Sequence, residues 1–379
     1  MRSGTRYNLL LSIFAGLAAM LLIGGCTKSS SIDGGGSSCG PNSIVFSANG
    51  TAYLLGFSQL FATNPQGNIT IDNYIVPNSL GEFSDMLDIS NDGNIWDITT
   101  DLNNSPTILT IFNSQGYFVT QLTTDFSSLS SVKVSSSTDI GWIGGYTGYT
   151  ITSNGVVATK SEPRLEALNI SGQSLTSFTL PPPSLSSFNA RSYVRLAISS
   201  NNDTVWAWSP GYLSGYSFTG LVYGPYPINM VESSEQYQIG CGSINKKWII
   251  VNPITNNIWM GNSATTTVLA LSPDGAVQFQ KSLDIYVSTM AVSPKTGNVW
   301  IGSNNKIDVL DPNGNLIKQL TLQYLKCITY MAISPVDDTV WIGNETNMSS
   351  TEKNIFILDG NGNIVNSINV PVGCTYPLM

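Results

Sequence analysis

Seven times along the chain a short apolar-x-apolar run ends in serine or asparagine, a turn follows, and the next apolar run carries an aromatic residue. The phrase begins at Ile44, Leu87, Val132, Leu196, Ile249, Met290 and Met331. It closes on Tyr53, Trp96, Trp142, Trp206, Trp259, Trp300 and Trp341. Behind each phrase comes a second turn centred on glycine, at Gly67, Gly116, Gly172, Gly220, Gly275, Gly314 and Gly362. Two independent series of turns thus give the same count of units, the signature of a repeat architecture.

Within a unit, four runs rich in Val, Ile, Thr and aromatics are separated by Gly, Pro, Asn and Asp, the pattern of an antiparallel meander. In the sixth unit the four strands are expected at Thr289–Ser293, Asn298–Gly302, Ile307–Asp311 and Asn315–Leu322. A lone four-stranded sheet leaves its apolar faces in water, and seven of them arranged about an axis bury those faces against one another. The expected fold is all-β, a seven-bladed β-propeller of four-stranded antiparallel blades. The aromatic that recurs at one position of every second strand then reads as inter-blade filler, because each junction needs the same bulky side chain.

The chain opens differently, with Arg2 and Arg6, an apolar run from Leu9 to Ile23, then small residues and Cys26. That is the layout of a secretory signal, too short for a comfortable membrane span. "Ile23-Gly24-Gly25-Cys26" resembles the bacterial lipobox, which implies cleavage before Cys26 and lipidation of its sulfur. In such signals an Asp after the cysteine marks inner-membrane retention, and Thr27 stands there instead. The expected divisions are a signal peptide at 1–25, a flexible Ser/Gly-rich tether at 26–42, the propeller at 43–370 and a closure segment at 371–379. The protein is expected outside the cytoplasm, lipid-anchored, and on the outer membrane in a cell with two membranes.

Net charge is −8, and more negative once Arg2 and Arg6 leave with the leader, so nucleic acid is not an expected partner. Four cysteines remain beyond Cys26: Cys39, Cys241, Cys327 and Cys374. In an exported chain they are disulfide candidates. Cys39 precedes the first unit and Cys374 follows the last, so ring closure favours that pair. Cys327 and Cys374 hold equivalent places after their fourth strands, which makes Cys327–Cys374 the rival.

"SPKTGNVWIGSNNKIDVLDPNGNLIKQL", 293–320, resembles the blade of bacterial NHL-type and streptogramin-lyase-like β-propellers, and the likeness extends over roughly 43–370. The resemblance implies the fold and no single activity, since such propellers serve as scaffolds, binders, lactonases and lyases. Streptogramin lyases work through histidine and a divalent metal, and this chain contains no histidine. The same lack removes a Ser-His-Asp triad and every His-containing zinc site. "LDPNGN" at 310–315 and "LDGNGN" at 358–363 offer alternating oxygen ligands, but without the glutamate that would complete a calcium loop. Tight-turn chemistry accounts for their Asp, Asn and Gly. No catalytic residue, metal or cofactor is assigned.

Departures from the repeat are where a rigid frame places function. Extra length is expected between the second and third strands at 146–163, 100–107, 209–217 and 347–353, and between units at 181–192 and 223–247. In a meander all these links emerge on one face. That face carries Tyr146, Tyr149, Tyr212, Tyr216, Tyr223 and Tyr226, residues suited to recognition surfaces. Aligned first strands put Met86, Arg195, Trp248, Thr289 and Tyr330 at the channel mouth, with Asp88 and Lys133 one step deeper. The expected function is a membrane-anchored binding or scaffold module for a protein or polysaccharide. The alternative is a His-independent, carboxylate- or metal-assisted hydrolase or lyase at the channel. Oligomeric state is left open.

The anchor generates the first prediction. Cys26→Ala moves the protein from the membrane to the soluble fraction on cell fractionation, because the lipid chains supply the attachment; unchanged membrane retention would reject the lipobox.

Overall fold

The computed structural model describes residues 38–39, 43–55, 59–75, 87–99, 107–153, 156–182, 194–228, 230, 247–344, 346–347, 353–370 and 374–375. The leader with Cys26, most of the tether, Met86 and Cys241 lie outside these residues, as do the side chains of Cys39, Tyr149 and Cys374. Among the described residues there is no helix. Seven four-stranded sheets follow one another along the chain, each built from consecutive strands in chain order. They are seven blades of a β-propeller. In the sixth, the strands are Thr289–Val292, Val299–Ser303, Lys306–Leu310 and Leu316–Thr321, within a residue or two of the limits read from the sequence.

The first strands of the blades are Ser43–Phe46, Leu87–Ile89, Ser128–Val134, Arg195–Ile198, Lys247–Val251, Thr289–Val292 and Ile328–Ile333. Each touches the first strand of the next blade, and the seventh touches the first, so these strands encircle the axis. Fourth strands form the rim: Leu316–Thr321 and its counterparts at Ser174–Thr179 and Val277–Ser282 alternate exposed and half-buried.

The recurring aromatics fill the junctions. Trp96, Trp206, Trp259 and Trp341 are at most 1% exposed, and Tyr53, Trp142 and Trp300 at most 4%. Trp96 packs with Val132, Val134 and Ile143 of the following blade, and its ring leaves no room for a Cβ at Gly141. The Tyr53 hydroxyl donates to Ser114 O of the second blade (3.0 Å). All seven second-turn glycines have positive φ, which side chains with a Cβ rarely adopt.

A polar seam runs along the face of the tight first turns. Asn91 N donates to Asp139 Oδ1 (2.9 Å), Ser135 Oγ to Asp203 Oδ1 (2.8 Å), and Ser199 Oγ pairs with Asn256 Oδ1 (2.6 Å). Asn252 Nδ2 donates to Gly297 O and Ser293 Oγ to Asp338 Oδ1, both at 2.6 Å. Each bond crosses one junction, from the second blade through to the seventh. The side-chain acceptors Asp139, Asp203, Asn256 and Asp338 sit at φ between 52 and 64°, a conformation that Asp and Asn tolerate through local hydrogen bonds. Ser135, Ser199 and Ser293, which end their repeat phrases, and Asn252 in the fifth unit are therefore junction residues.

The insertion at 146–163 is the hairpin that Asn154-Gly155 signals in the sequence: Gly141–Ser153 and Val156–Leu168 pair through thirteen registers, which by strand rise extends the blade by roughly 24 Å. Other expectations need correction. Residues 209–217 hold only a two-residue turn, Pro210-Gly211, because Tyr212–Ser217 is the third strand of its blade. Likewise Tyr223–Pro227 belongs to the fourth strand, Gly220–Pro227. The end of the tether is ordered as well. Ser38–Cys39 lies between Thr346–Asn347 and Cys374–Thr375 in a small antiparallel sheet. No strand is shared between the first and last blades, and this small sheet joins both ends of the chain to the seventh blade.

Closure generates the second prediction. Cys39 lies directly opposite Cys374 and pairs on its other side with Thr346. Buried Cys327 donates its amide to Asn344 Oδ1 (3.3 Å), two residues before Thr346. Non-reducing peptide mapping is expected to return a disulfide within this trio, and the map tells Cys39–Cys374 from Cys327–Cys374. Its reduction lowers thermal stability, by about 5 kcal/mol on the loop-entropy account for the long loop of Cys39–Cys374 and about 4 kcal/mol for the shorter one of Cys327–Cys374. Three free thiols would reject a covalent closure.

Candidate functional site

The seven junction aromatics also fix depth along the axis. Tyr53 and the tryptophans lie opposite Val45, Asp88, Lys133, Ala197, Ile250, Ala291 and Ala332 of the first strands. These residues form one ring. Two positions earlier, and so on the same strand face, stand Ser43, Ser131, Arg195, Trp248, Thr289 and Tyr330, nearer the face from which the first strands start.

Between the rings lies a cavity of about 110 Å³. Every residue lining it belongs to a first strand, and six of the seven blades contribute, which puts it on the axis. Arg195, Trp248, Tyr330 and Lys133, all singled out from sequence, meet here; Lys247 joins them.

Much of this polar lining also ties blade to blade. Arg195 Nη1 donates to Ser130 O (2.8 Å) and Trp248 Nε1 to Ser288 O (2.8 Å). Ser131 Oγ accepts from Leu196 N and Thr289 Oγ1 from Met331 N, both at 3.1 Å. Asp88 Oδ2 accepts from Val134 N (2.7 Å), while its Oδ1 lies 3.4 Å from Lys133 Nζ. The physical cause is the edge position of a first strand, whose outward backbone groups have no neighbouring strand to pair with.

Charge is uneven around the cavity. Among the described residues, three cations, Lys133, Arg195 and Lys247, stand against one carboxylate, Asp88. Burial draws the Lys133 ammonium pKa down, but the Asp88 carboxylate, the Tyr330 hydroxyl and the hydrogen bond to Asp88 outweigh burial and nearby Arg195, leaving it above the ordinary lysine value. Lys133 stays charged and keeps 31% of its side chain exposed. Lys247 Nζ sits 5.0 Å from the centre of the Trp208 ring, in cation–π contact. Trp248 and Tyr330 meet edge to face at 5.4 Å. The one described carboxylate is held by Lys133 and by the Val134 amide, which is a poor arrangement for acid–base chemistry.

The tyrosines divide. Tyr146 and Tyr216 are each 4% exposed and belong to the packed cluster around Trp142, where Tyr216 stacks on Phe178 at 5.3 Å. Tyr223 stacks on Trp206 at 5.4 Å. Tyr226 fills the junction against Gly275 and reaches Pro273 O (3.4 Å). These four hold blades together, correcting the expectation of a tyrosine recognition surface. Tyr212 is half-buried beside the Pro210-Gly211 turn. Turn carboxylates are likewise occupied: Asp359 Oδ1 accepts from Asn361 N (2.9 Å) and Asn363 N (2.8 Å), and Asp311 repeats the pattern with Asn313 and Asn315. Among the described residues no group of three His, Cys, Asp or Glu side chains is placed to hold a metal ion.

Lys247 and Trp208 escaped the sequence reading. Lys247 was treated as the end of a connection, although it directly precedes Trp248 in the phrase "KKWIIV".

No family model matches the chain, and no curated protein matches it. Among solved structures, the β-propeller domain of Cps50 (Swd1) from Myceliophteria thermophila superposes with a TM-score of 0.56 at 9% identity, covering 84% of this chain and 96% of that one. At this identity the likeness shows a shared fold. The chain is a β-propeller, a fold that by itself assigns no activity.

Asp88 supplies the third prediction. Because Lys133 has a folded pKa above its ordinary value, the ion pair stabilises the fold below that ordinary value and loses its contribution as pH rises through the folded pKa. Asp88→Asn keeps an acceptor for Val134 N, so the expected cost is about 1 kcal/mol at neutral pH. Urea titrations should show the cost shrinking above the ordinary lysine pKa of 10.5; a cost independent of pH would mean the charge pair contributes nothing.

Proposed function

We propose that the protein is a binding or scaffold module of the cell envelope, held by lipid at Cys26, which presents the face where its first strands begin to a protein or polysaccharide. One observation carries this reading: the axial cavity lies in the half of the ring toward the face that also bears the long hairpin of Gly141–Leu168. The opposite face is confined to short turns knitted together by side-chain hydrogen bonds. A rigid ring with one plain and one elaborated side is suited to recognition, with the chemistry of recognition placed on connections and channel mouth. The lipobox resemblance and the leader support the envelope location. The oxygen-rich, weakly charged composition, with charged residues at 11%, fits an exported surface.

In-cell capture tests this reading. A photo-cross-linking amino acid at Thr152, in the hairpin, is expected to give a discrete adduct in living cells. The same probe at Val277, exposed on the rim, is expected to give none. Replacing 147–162 by a short Gly-Ser turn should abolish the adduct without lowering the melting temperature. Equal labelling from both positions would defeat the assignment of the elaborated face.

A further inference from the structure

Asp308 sits in the third strand of the sixth blade, Lys306–Leu310, and is 2% exposed. Ile301, opposite it, and Leu310, two residues on, pack with Trp259, Leu283 and Ile285 in the apolar joint between the fifth and sixth blades. Asp308 Oδ1 accepts from Gln319 Nε2 (3.2 Å), while its buried Oδ2 has no hydrogen-bond partner among the described residues. The third blade shows how a carboxylate in this register is otherwise held. Glu166 lies opposite Ile143 as Asp308 lies opposite Ile301, and Arg164, two residues earlier, reaches Glu166 at 3.3 Å. Lys306 holds the place of Arg164, but it is exposed, and among the described residues no ion pair joins it to Asp308.

Few other charges face this joint. Asp284, exposed, stands on the connection between the two blades, and half-buried Lys281 lies opposite Val268 of the same apolar cluster. Burial pushes the Asp308 carboxyl above its ordinary pKa; the Gln319 hydrogen bond opposes the rise, the Asp284 carboxylate adds to it, and Lys306 opposes it. The connection that carries Asp284 is bonded to both blades: Leu283 N donates to Thr266 O (2.8 Å), Val287 N to Thr265 O (3.2 Å) and Ser288 N to Gly302 O (3.1 Å). Ser288 O in turn accepts from Trp248 Nε1, so the same connection helps to hold a ring at the axis.

We infer that the joint between the fifth and sixth blades responds to protons: it is tight while Asp308 is neutral and loosens, with the connection 283–288, once Asp308 ionises. A neutral carboxyl costs far less among apolar neighbours than a carboxylate, which here has one oxygen without a donor and a second carboxylate, Asp284, to repel it. Folded Asp308 keeps its proton to higher pH than the unfolded chain does. Stability therefore falls as pH rises from the ordinary value of 3.8 through the folded pKa, and stays lower above it. The turn carboxylates Asp274, Asp311, Asp337 and Asp359, whose pKa values are lowered, act in the opposite sense, so a comparison of variants is needed to isolate Asp308. The inference is independent of the binding-module reading, since it concerns a different part of the ring from the hairpin.

Thermal melts of the full chain and of Asp308→Asn across the range from pH 4 to pH 8 decide the matter. Asparagine keeps an oxygen for Gln319 Nε2 and never ionises. The two proteins are expected to agree most closely at pH 4, and at pH 7 the wild type is expected to melt about 1 °C or more below the variant. Hydrogen exchange locates the change: at pH 7 the amides of Leu283 and Val287 should exchange faster in the wild type than in Asp308→Asn. Those of Leu322 and Ile328, bonded to Asn305 O and Asn304 O at the next joint, should not differ. If Asp308→Asn fails to fold, Asp284→Asn, at an exposed site, carries the decision: it should reduce the loss of stability between pH 4 and pH 7. Parallel pH profiles of the wild type and the folded variant, or faster exchange spread evenly over both joints, would overturn the inference. Should calcium chloride close the gap at pH 7 by stabilising the wild type alone, Asp308 is a cation ligand and the assignment to a proton falls.

Discussion

A ring of seven sheets holds only if every sheet covers its neighbour, and in this chain that work falls on one aromatic side chain per junction. Each is nearly inaccessible to water, and truncation of a buried Trp costs about 3–5 kcal/mol, a large share of the stability of an ordinary domain. Because the ring is closed, no junction is dispensable: a gap at one would expose both flanking sheets. The seam of first-turn hydrogen bonds adds direction to this packing. Apolar contact alone lets two sheets slide, whereas an acceptor such as Asp338 Oδ1 waiting for Ser293 Oγ fixes the height of one blade against the next.

Closure differs from the other junctions. The first and last blades meet by side-chain packing, with Phe46 edge to face on Trp341 at 5.5 Å, and Asn366 reaches across to Gln66 O (3.1 Å). The covering sheet made from both chain ends and Thr346–Asn347 supplies the remaining constraint. Thr346–Asn347 follows the second strand of the seventh blade, so the clasp lies on the elaborated side and takes up the start of that blade's long connection.

The tandem phrase made the fold legible because a repeat must satisfy the same packing seven times, and the chain cannot vary those positions independently. Depth at the axis was legible for the same reason: aligning the phrases put Arg195, Trp248 and Tyr330 level with one another, and strand register does too. What failed was interpretation of material between the phrases. Tyr212–Ser217 has the composition of a loop and is a strand, because Pro210-Gly211 turns the chain in two residues. Tyr223 holds the place in its fourth strand that Phe279 holds in the next blade, each level with its junction tryptophan, Trp206 or Trp259, and packed on it; an alignment of fourth strands would have found this. The approach of Cys39 to Cys374 was legible from their places before the first unit and after the last, and strand register sets them opposite one another; the insertion of Thr346–Asn347 as the third strand of that sheet was not, since two residues carry no pattern of their own.

The polar ring at the axis has two origins that sequence alone does not separate. First strands are edges, and an unpaired buried backbone group is costly, so Ser131, Thr289 and Asp88 are already required to satisfy amides of the next blade. Serine, threonine and aspartate suffice for that task. Arg195 shares the task by donating to Ser130 O, whereas Lys133 meets a carboxylate and Lys247 an aromatic ring. Cations in a narrow channel repel one another unless neighbouring groups offset them, as Asp88 does for Lys133. At physiological salt a charge is felt over about 8 Å, so these immediate neighbours, and not the negative body of the protein, set the balance at the axis. The hairpin of Gly141–Leu168 and the axial cations stand on different strands, so the elaborated edge of the blade and the polar axis are set by separate parts of the fold.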